Sequence, residues 1–284
     1  METLNRCKPL LGTYVDICLS GEMSKSRLMD LSSMLFSEFE KIQTLMSFHS
    51  PDSELSIINR KAYQQPCKLS NHTYKVIEQA LQLSAASDGL FDISIAPKLV
   101  AQQLLPDHGI PSHHSASWKD ISLVDNCIKF AKPLLIDLGG IAKGYAVDQA
   151  FSLLASEPLN IVINAGGDLR ISHWQGKTVS IQVDGENGAL REIPMANSAV
   201  ATSANYYTEN GYPIICPLTQ STVIDNKVVS VFAPNCMLAD ALSKVVFINS
   251  SNKQLLDSLN AVASIFHPHQ SKSDSPVSIC HTSL

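Results

Sequence analysis

The first segment that could carry chemistry is a pair of adjacent glycines placed between an acid and a base. Gly139-Gly140 follows the apolar run 134–138, with Asp137 just before it and Lys143 just after it. Glycine permits unusual φ angles, and its amides ahead of a helix can point N–H groups at an anion. The spacing matches neither a Walker A loop nor the dinucleotide fingerprint. Asp137 and Lys143 favour an anion-binding turn over an ordinary tight turn.

A second glycine pair, Gly166-Gly167, also follows an apolar run and stands next to Asp168. Two such turns could close on one extended ligand that carries phosphates. The alternative is a hairpin or bulge in which Asp168 only accepts hydrogen bonds within the turn. The residues alone leave both interpretations open.

Asp240 is a single carboxylate in an otherwise apolar helical pattern. It shares a helix face with Ser243 and Lys244, at steps of three and four residues. A buried carboxylate is costly unless it is paired or bound to a metal. Asp240 is therefore expected either to ligate Mg²⁺ or to pair with Lys244, and the spacing favours the ion pair.

Composition argues against several classes of function. The 26 acidic and 21 basic residues give a formal charge of −5, which is unlike a general nucleic-acid binder. The nine histidines form no H-x-x-x-H or H-E-x-x-H motif, no G-x-S-x-G elbow is present, and the seven cysteines are scattered singly, as reduced thiols are. No apolar run approaches the roughly 20 residues of a membrane span, and the N-terminus lacks a signal-like stretch. We therefore expect a cytoplasmic protein without a membrane span.

Hydrophobic periodicity predicts a chain that mixes strands with helices. Amphipathic helices are expected at 29–45, 70–89, 142–155, 235–245 and 253–259. Short β-branched or alternating runs are expected to be strands, at 11–19, 121–124, 127–130, 134–138, 160–164, 179–183, 200–203, 228–233 and 261–266. This order predicts an α+β fold, a single domain over residues 1–284 with two closely joined lobes.

The order of these segments resembles one family, the ApbE-type FAD:protein FMN transferases. The resemblance covers most of the chain and rests on residues 9–13, 46–59, 87–92, 137–148, 164–170, 201–203 and 236–242. It implies an ApbE-like, T-fold-related architecture in which two lobes of mixed or antiparallel sheet, with flanking helices, hold a ligand cleft between them. It also implies Mg²⁺-dependent transfer of FMN from FAD, through a phosphoester bond, to a Thr or Ser of an acceptor flavoprotein, with release of AMP.

The resemblance also assigns roles to residues that match family positions. FAD, as the substrate, is expected to contact Leu11, His49, Asn59, Leu90, Phe91, Asp92, Asp137, Lys143, Gly166, Gly167 and Thr202. Mg²⁺ is expected at the Gly140 carbonyl, Asp240 and Ser243. Asp240 and Lys143 are the expected catalytic residues, because a metal ion and a cation at the pyrophosphate stabilise charge on the leaving AMP.

Departures from the family pattern leave two other functions open. The usual His-x-x-Asp-Pro-x-Thr-Gly segment appears here as residues 213–220, with Pro213 for His, Cys216 for Asp and Gln220 for Gly. Lys244 stands where the family has a metal-site Thr, and the lipoprotein signal common in the family is missing, which predicts a cytosolic member. The alternatives are an FAD pyrophosphatase that yields FMN and AMP, and a non-catalytic protein that binds or delivers flavin.

Overall fold

A computed structural model describes residues 1–183, 189–205 and 213–267 and the strand 277–279. These ranges include two single turns of 3-10 helix, Ile93–Ile95 and Trp118–Asp120. No helix in these ranges is both long and apolar enough to cross a membrane. The helices and strands follow one another as β1 (Glu2–Leu10), β2 (Thr13–Gly21), α1 (Lys25–Met46), α2 (Glu54–Lys61), β3 (Cys67–Lys68), α3 (Asn71–Ala86), α4 (Ala96–Ala101), β4 (Ile121–Val124), β5 (Cys127–Phe130), α5 (Ala142–Ser152), β6 (Leu159–Ala165), β7 (Asp168–Ile171), β8 (Thr178–Gln182), β9 (Leu190–Pro194), β10 (Ala199–Ala204), β11 (Ile215–Cys216), β12 (Ser221–Thr222), β13 (Val228–Ala233), α6 (Cys236–Ile248), α7 (Lys253–Ser258), β14 (Val262–Phe266) and β15 (Val277–Ile279).

The chain divides into two compact units. The first is built from the described parts of residues 1–40, 143–214 and 223–284, and the second from residues 41–142 and 215–222. An antiparallel sheet of eight strands, in the order β1-β2-β6-β7-β10-β13-β14-β15, forms the first unit. Its side chains alternate between the two faces, as the burial of Val15, Ile17 and Leu19 on β2 shows.

The central strands of this sheet are covered on both faces, so that every residue of β13 is buried. Helix α6 packs against β10 and β13 on the face that carries Ser203. On the other face, Val200 and Phe232 form a buried cluster with Met195, and the hairpin β8–β9 packs against it through Val179 and Ile193. The apolar core therefore holds α6, with its carboxylate, in a fixed place on the sheet.

The second unit contains helices α2, α3 and α4, the three-stranded sheet β3-β5-β4 and the short pair β11–β12. Serine caps begin its two longer helices: Ser53 Oγ accepts the N–H of Ser56 at 3.0 Å, and Ser70 Oγ accepts that of Thr73 at 3.3 Å. The Glu54 carboxylate joins these helices, because it accepts the N–H and the hydroxyl of Ser70 at 2.6 and 2.7 Å.

The predicted α+β class, with antiparallel sheets and flanking helices, is confirmed. All five predicted helices are present, with boundaries that differ by a few residues. Strand β1 was not predicted, because Leu4 is its one buried side chain and the rest of the strand is largely polar. Edge strands of this kind carry little hydrophobic periodicity, so the sequence pattern does not reveal them.

The predicted strand at 134–138 is wrong, because a side chain holds this segment instead of a neighbouring strand. Asn59 Nδ2 donates to the Ile136 carbonyl at 3.0 Å, and Asn59 Oδ1 accepts the Ile136 N–H at 2.9 Å. The next amide, Asp137 N–H, donates to the Ile93 carbonyl at 2.8 Å. A carboxamide offers one acceptor and two donors, so it can satisfy both backbone groups of one residue.

Replacing Asn59 by Ala should destabilise the second unit by about 2–4 kcal/mol, because both backbone groups of the buried Ile136 then lose their partners. Asn71 is exposed, so Asn71→Ala is the matched control and should cost less than about 0.5 kcal/mol. Urea unfolding followed by Trp118 fluorescence, in a Trp174→Phe background, reports on this unit. Equal unfolding free energies for the two variants would contradict the structural role of Asn59.

Candidate active site

Helix α6 carries a carboxylate, Asp240, whose side chain is 0 % exposed. The helix begins at the cap Asn235, whose Oδ1 accepts the N–H of Leu238 at 2.9 Å. The residues between the cap and Asp240 are apolar, so they bury the first turns of the helix. Asp240 is thereby drawn into a core from which an unpaired charge would be excluded.

A second acid, Asp148 on α5, fixes the start of α6. Its two oxygens accept the N–H groups of Cys236 and Met237 at 2.9 and 2.8 Å, and Arg170 Nη1 lies 2.6 Å from its Oδ1. Burial raises the pKa of Asp148, although Arg170 and the two amides favour its charged form. A carboxylate at a helix N-terminus is favourable because it meets free N–H groups. Asp148 therefore determines where Asp240 lies relative to α5.

Two lysines and a backbone amide surround the Asp240 carboxylate. Lys244 Nζ contacts Asp240 Oδ1 and donates to the Asp240 carbonyl at 2.9 Å. Lys143 Nζ lies 3.5 Å from Asp240 Oδ2, which also accepts the Gly144 N–H at 3.2 Å. Burial raises the pKa of Asp240, but Lys143, Lys244 and the amide outweigh burial and lower it to about 2. The ion pair that the spacing favoured is present, and Asp240 stays ionised.

Gly144 allows α5 to come close to the start of α6. A Cβ atom at this position would overlap the Cys236 carbonyl oxygen and lie 2.8 Å from the Met237 Cα. Because glycine has only a hydrogen there, its N–H reaches Asp240 Oδ2. The close approach of the two helices therefore depends on this glycine.

The second glycine pair forms the tight turn of the hairpin β6–β7, but Asp168 pairs with Lys143 and Asn164 accepts the hydrogen bond within the turn. Gly166 and Gly167 have φ of +62° and +98°, and Gly167 N–H donates to Asn164 Oδ1 at 2.9 Å. Gly139-Gly140 does not enter this left-handed region, contrary to expectation. The backbone freedom of glycine is thus used at the second pair.

The hairpin turn brings Asp168 to Lys143. Asp168 Oδ2 is buried and lies 2.8 Å from Lys143 Nζ, with which it forms an ion pair. Burial and the charge of Asp240 raise the pKa of Asp168 to about 6, against the effect of Lys143. Burial lowers the pKa of Lys143, but Asp168 and Asp240 outweigh it and raise the pKa, so Lys143 stays charged.

Ser243 lies one helical turn from Asp240 and is fully buried. Its hydroxyl donates to the Asp240 carbonyl at 2.7 Å and lies 2.7 Å from Ser203 Oγ on β10. Thr202 is on the opposite face of β10, because side chains alternate along a strand, and its hydroxyl lies 2.8 Å from that of Ser230. The structure therefore places Ser203 next to Ser243, on the Asp240 side of β10, and places Thr202, which is expected to contact FAD, on the opposite face.

In the second unit, several predicted residues gather around the segment 134–140. Asn59 holds Ile136, as described above, and Asp137 Oδ2 accepts the Gly139 N–H at 3.1 Å. The Phe91 ring lies 3.5 Å from the position that a Cβ would take on Gly140. This segment is thus fixed by contacts from residues that the sequence had assigned to ligand binding.

Asp92 organises the loop after α3. Its Oδ1 accepts the N–H of Ser94 at 2.8 Å, and its Oδ2 accepts that of Trp118 at 3.3 Å. Burial raises the pKa of Asp92, against the effect of these amides. Leu90 lies half-buried in the same loop, and His49 is exposed in the loop after α1. Leu11, in the first unit, forms the β1–β2 turn with a φ of +55°.

Whether Mg²⁺ fits in the first unit depends on which oxygen atoms around Asp240 are available to ligate it. Mg²⁺ takes oxygen ligands in an octahedral arrangement, usually carboxylates and waters. Both carboxylate oxygens of Asp240 already meet N–H groups, and the Ser243 hydroxyl is used by two hydrogen bonds. The described residues also contain no cluster of three or more His, Cys, Asp or Glu side chains suited to a metal ion. The residues of the first unit, as arranged, do not fit Mg²⁺.

The family follows from a match over most of the chain. The model of the ApbE family matches residues 11–266. The chain belongs to the ApbE family. Similar curated proteins, both named FAD:protein FMN transferase, come from Chlamydia trachomatis (30% identical, covering 78% of this chain and 77% of that protein) and Vibrio cholerae (25% identical, covering 85% and 80%).

Solved structures show that the fold is that of the ApbE family. The flavin transferase ApbE from Vibrio cholerae matches with a TM-score of 0.80 at 22% identity, covering 97% of this chain and 95% of that one. The ApbE protein from Thermotoga maritima matches with a TM-score of 0.78 at 23% identity, covering 93% and 94%. At these identities the likeness concerns the fold alone.

Sequence reasoning missed three contributors to the Asp240 site of this ApbE-family chain. The sequence alone presents Asp168 as a turn residue, gives Ser203 no role beside its neighbour Thr202, and shows Gly144 only as one residue of the segment 137–148. A glycine inside a predicted helix is a usable signal, because it often marks a close helix contact. The partnership of Asp168 with Lys143 depends on the β6–β7 register, which one sequence does not show.

Gly144→Ala should destabilise the first unit by about 1–3 kcal/mol or more, because the added methyl forces α5 away from α6. Gly140→Ala is the matched control: its φ is not positive and its Cβ would make an ordinary contact, so it should be neutral or stabilising by about 0.4–1 kcal/mol. Urea unfolding followed by Trp174 fluorescence measures the effect of Gly144→Ala on the first unit. Urea unfolding followed by Trp118 fluorescence measures the effect of Gly140→Ala on the second unit. A Gly144→Ala variant as stable as wild type would contradict the close packing.

The raised pKa of Asp168 predicts a pH dependence of stability. The native state binds this proton more tightly than the unfolded chain, whose Asp pKa is about 3.9, so the associated stability is lost as pH rises through about 6. The free energy of unfolding of wild type relative to Asp168→Asn should therefore fall between about pH 4 and pH 6. Asp225→Asn, whose carboxylate has a lowered pKa, is the control and should show no such fall. A difference that rises over this interval would contradict the assignment.

Proposed function

We propose that this chain transfers FMN from FAD to a Thr or Ser hydroxyl of an acceptor protein and releases AMP. Its membership of the ApbE family, and the name FAD:protein FMN transferase carried by its relatives, support the proposal. The observation that carries it is the buried acid Asp240 with Lys143 and Lys244, whose side chains are 25% and 24% exposed. Two fixed, accessible cations are suited to bind a pyrophosphate.

The proposed reaction exchanges one partner of a phosphate for another. The acceptor hydroxyl oxygen bonds to the phosphorus that carries riboflavin, and the bond from this phosphorus to the bridging oxygen breaks. AMP leaves with that oxygen, and the hydroxyl proton passes to a base or to water. Negative charge grows on the leaving AMP, so cations that are already in place lower the barrier.

The residues of the Asp240 site have distinct parts in this proposal. Lys143 contacts the pyrophosphate and stabilises charge on AMP, while Asp240 holds the two lysines in position. Asp168 keeps Lys143 charged. The flavin and adenosine are contacted by other residues that match family positions, namely Leu11, His49, Leu90, Phe91, Asp92, Asp137, Gly166, Gly167 and Thr202. Asn59 contributes by holding Ile136 beside Asp137.

The resemblance also implies Mg²⁺ at the pyrophosphate, held by the Gly140 carbonyl, Asp240 and Ser243. When bound, such an ion would neutralise phosphate charge. The oxygen atoms around Asp240, as arranged, do not fit the ion. The proposed transfer therefore relies on the chain's own lysines.

A second candidate is an FAD pyrophosphatase, in which water replaces the acceptor hydroxyl. It is favoured by Pro213 and Cys216, which stand at the positions of the family's His and Asp. Proline has no side-chain base, so these positions offer less help in removing a hydroxyl proton. Water needs less precise activation than one hydroxyl of a protein.

AMP release from FAD by the full chain tests the proposal. Asp240→Asn should lower the rate by at least about 100-fold, because the lysines lose the charge that positions them. Asp225→Asn removes a carboxylate of the first unit that pairs with Lys227 outside this site, and it should leave the rate unchanged. Chromatography of the nucleotides, in buffer that contains Mg²⁺, measures both rates.

The fate of the FMN separates the candidate functions. A protein extract of the native host is added with FAD, and denaturing gels are examined for flavin fluorescence. FMN attached to a Thr or Ser by mass spectrometry supports the transferase. AMP with equimolar free FMN, and no labelled protein, would indicate the pyrophosphatase. Tight FAD binding without AMP would contradict both and leave a flavin carrier.

A further inference from the structure

Lys244 distinguishes this site from a magnesium site. Its ammonium group contacts one carboxylate oxygen of Asp240 and donates to the Asp240 carbonyl at 2.9 Å. We infer that Lys244 is the resident cation of the site and binds the pyrophosphate of the dinucleotide in place of a divalent metal ion. This inference rests on the proposed function, because it names the group that meets the phosphates of the same substrate.

The charges of the site balance without a metal ion. The carboxylates of Asp168 and Asp240 are matched by the ammonium groups of Lys143 and Lys244. A divalent cation at Asp240 would lie within a few ångströms of both ammonium groups, and like charges at that distance repel strongly in a partly buried site. The pyrophosphate of a dinucleotide carries the opposite charge, so the same two groups attract it.

The exposure of the four side chains suits an anionic ligand. Asp240 and Asp168 are 0% and 4% exposed, whereas Lys244 and Lys143 are 24% and 25% exposed. A ligand that arrives from solvent therefore meets the ammonium groups, while the carboxylates behind them hold them in place. A lysine ammonium is a compact charge with three donors, and it binds phosphate without a metal ion.

Ser243 supports the same conclusion. Its hydroxyl donates to the Asp240 carbonyl and lies against Ser203, so it is held in a hydrogen-bonded pair inside the core. The hydroxyl is fully buried and is already held by two hydrogen bonds, so ligating a second cation would require it to leave this place in the core. The atoms around Asp240 are thus already held by the ammonium groups of Lys143 and Lys244 and by hydrogen bonds within the core.

Binding of Mn²⁺ to the full chain tests the inference without turnover. Electron paramagnetic resonance measures free Mn²⁺ during titration of wild type and of Lys244→Thr, which restores the hydroxyl that the family has at this position. Wild type should bind no stoichiometric Mn²⁺. Lys244→Thr should gain one Mn²⁺ site, because the Asp240 carboxylate loses its ammonium partner. The affinity of this site should exceed the residual affinity of wild type for Mn²⁺ by at least about tenfold, or about 1.4 kcal/mol.

Three further variants keep the test specific. Adding Asp240→Asn to Lys244→Thr should abolish the gained site. Lys227→Thr removes another mostly buried lysine of the first unit and should gain none. Lys244→Met removes the charge but keeps a long side chain, so it repeats the measurement if circular dichroism shows that the Thr variant folds poorly.

Two results would overturn the inference. One is stoichiometric Mn²⁺ on wild type that Asp240→Asn removes. The other is a folded Lys244 variant that binds no more Mn²⁺ than wild type, which would mean that Lys244 only stabilises α6. Because FAD is not present, either result holds whether or not the chain releases AMP, so failure of this inference is distinct from failure of the proposed function.

Discussion

The buried charge of Asp240 is the constraint on which the rest of the first unit depends. An ionised carboxylate in an apolar helix is tolerated only if its oxygens meet cations or N–H groups. Here Lys244 comes from the same helix, whereas Lys143 and the Gly144 amide come from α5, which must therefore lie close to α6. The glycine permits that approach, and Asp148 fixes it by capping α6. Stability and the accessible cationic pair thus have the same origin.

Local patterns predicted much of the fold, because helices and buried strands have their own periodicity. The helix that carries Asp240, its i,i+4 partner Lys244 and the hairpin at Gly166-Gly167 all follow from neighbours in sequence. What the sequence did not predict depends on distant partners. Asn59 replaces a strand neighbour of Ile136, Asp168 meets Lys143 through the β6–β7 turn, and β1 is too polar to show a pattern. Each of these depends on register or packing between segments far apart in the chain.

The family resemblance and the structure differ most at Lys244. The resemblance comes from the order of the motifs and implies a metal ion beside Asp240. The structure instead places an ammonium group on that carboxylate, and the acids and lysines of the site balance. The resemblance also implies a His and an Asp where this chain has Pro213 and Cys216. The chain therefore keeps the fold of the family while an ammonium group occupies the side of Asp240 where the resemblance implies a metal ion.

The central claim is that Lys143 and Lys244 supply the positive charge at the pyrophosphate without a metal ion. The most direct test is the rate of AMP release from FAD by wild type after exhaustive removal of divalent cations with EDTA. If Lys143 and Lys244 supply the positive charge, the rate in EDTA should stay within about twofold of the rate in Mg²⁺, a barrier difference of about 0.4 kcal/mol. A rate that EDTA abolishes and Mg²⁺ restores would contradict the account, because it would show that the cations of the chain are not sufficient.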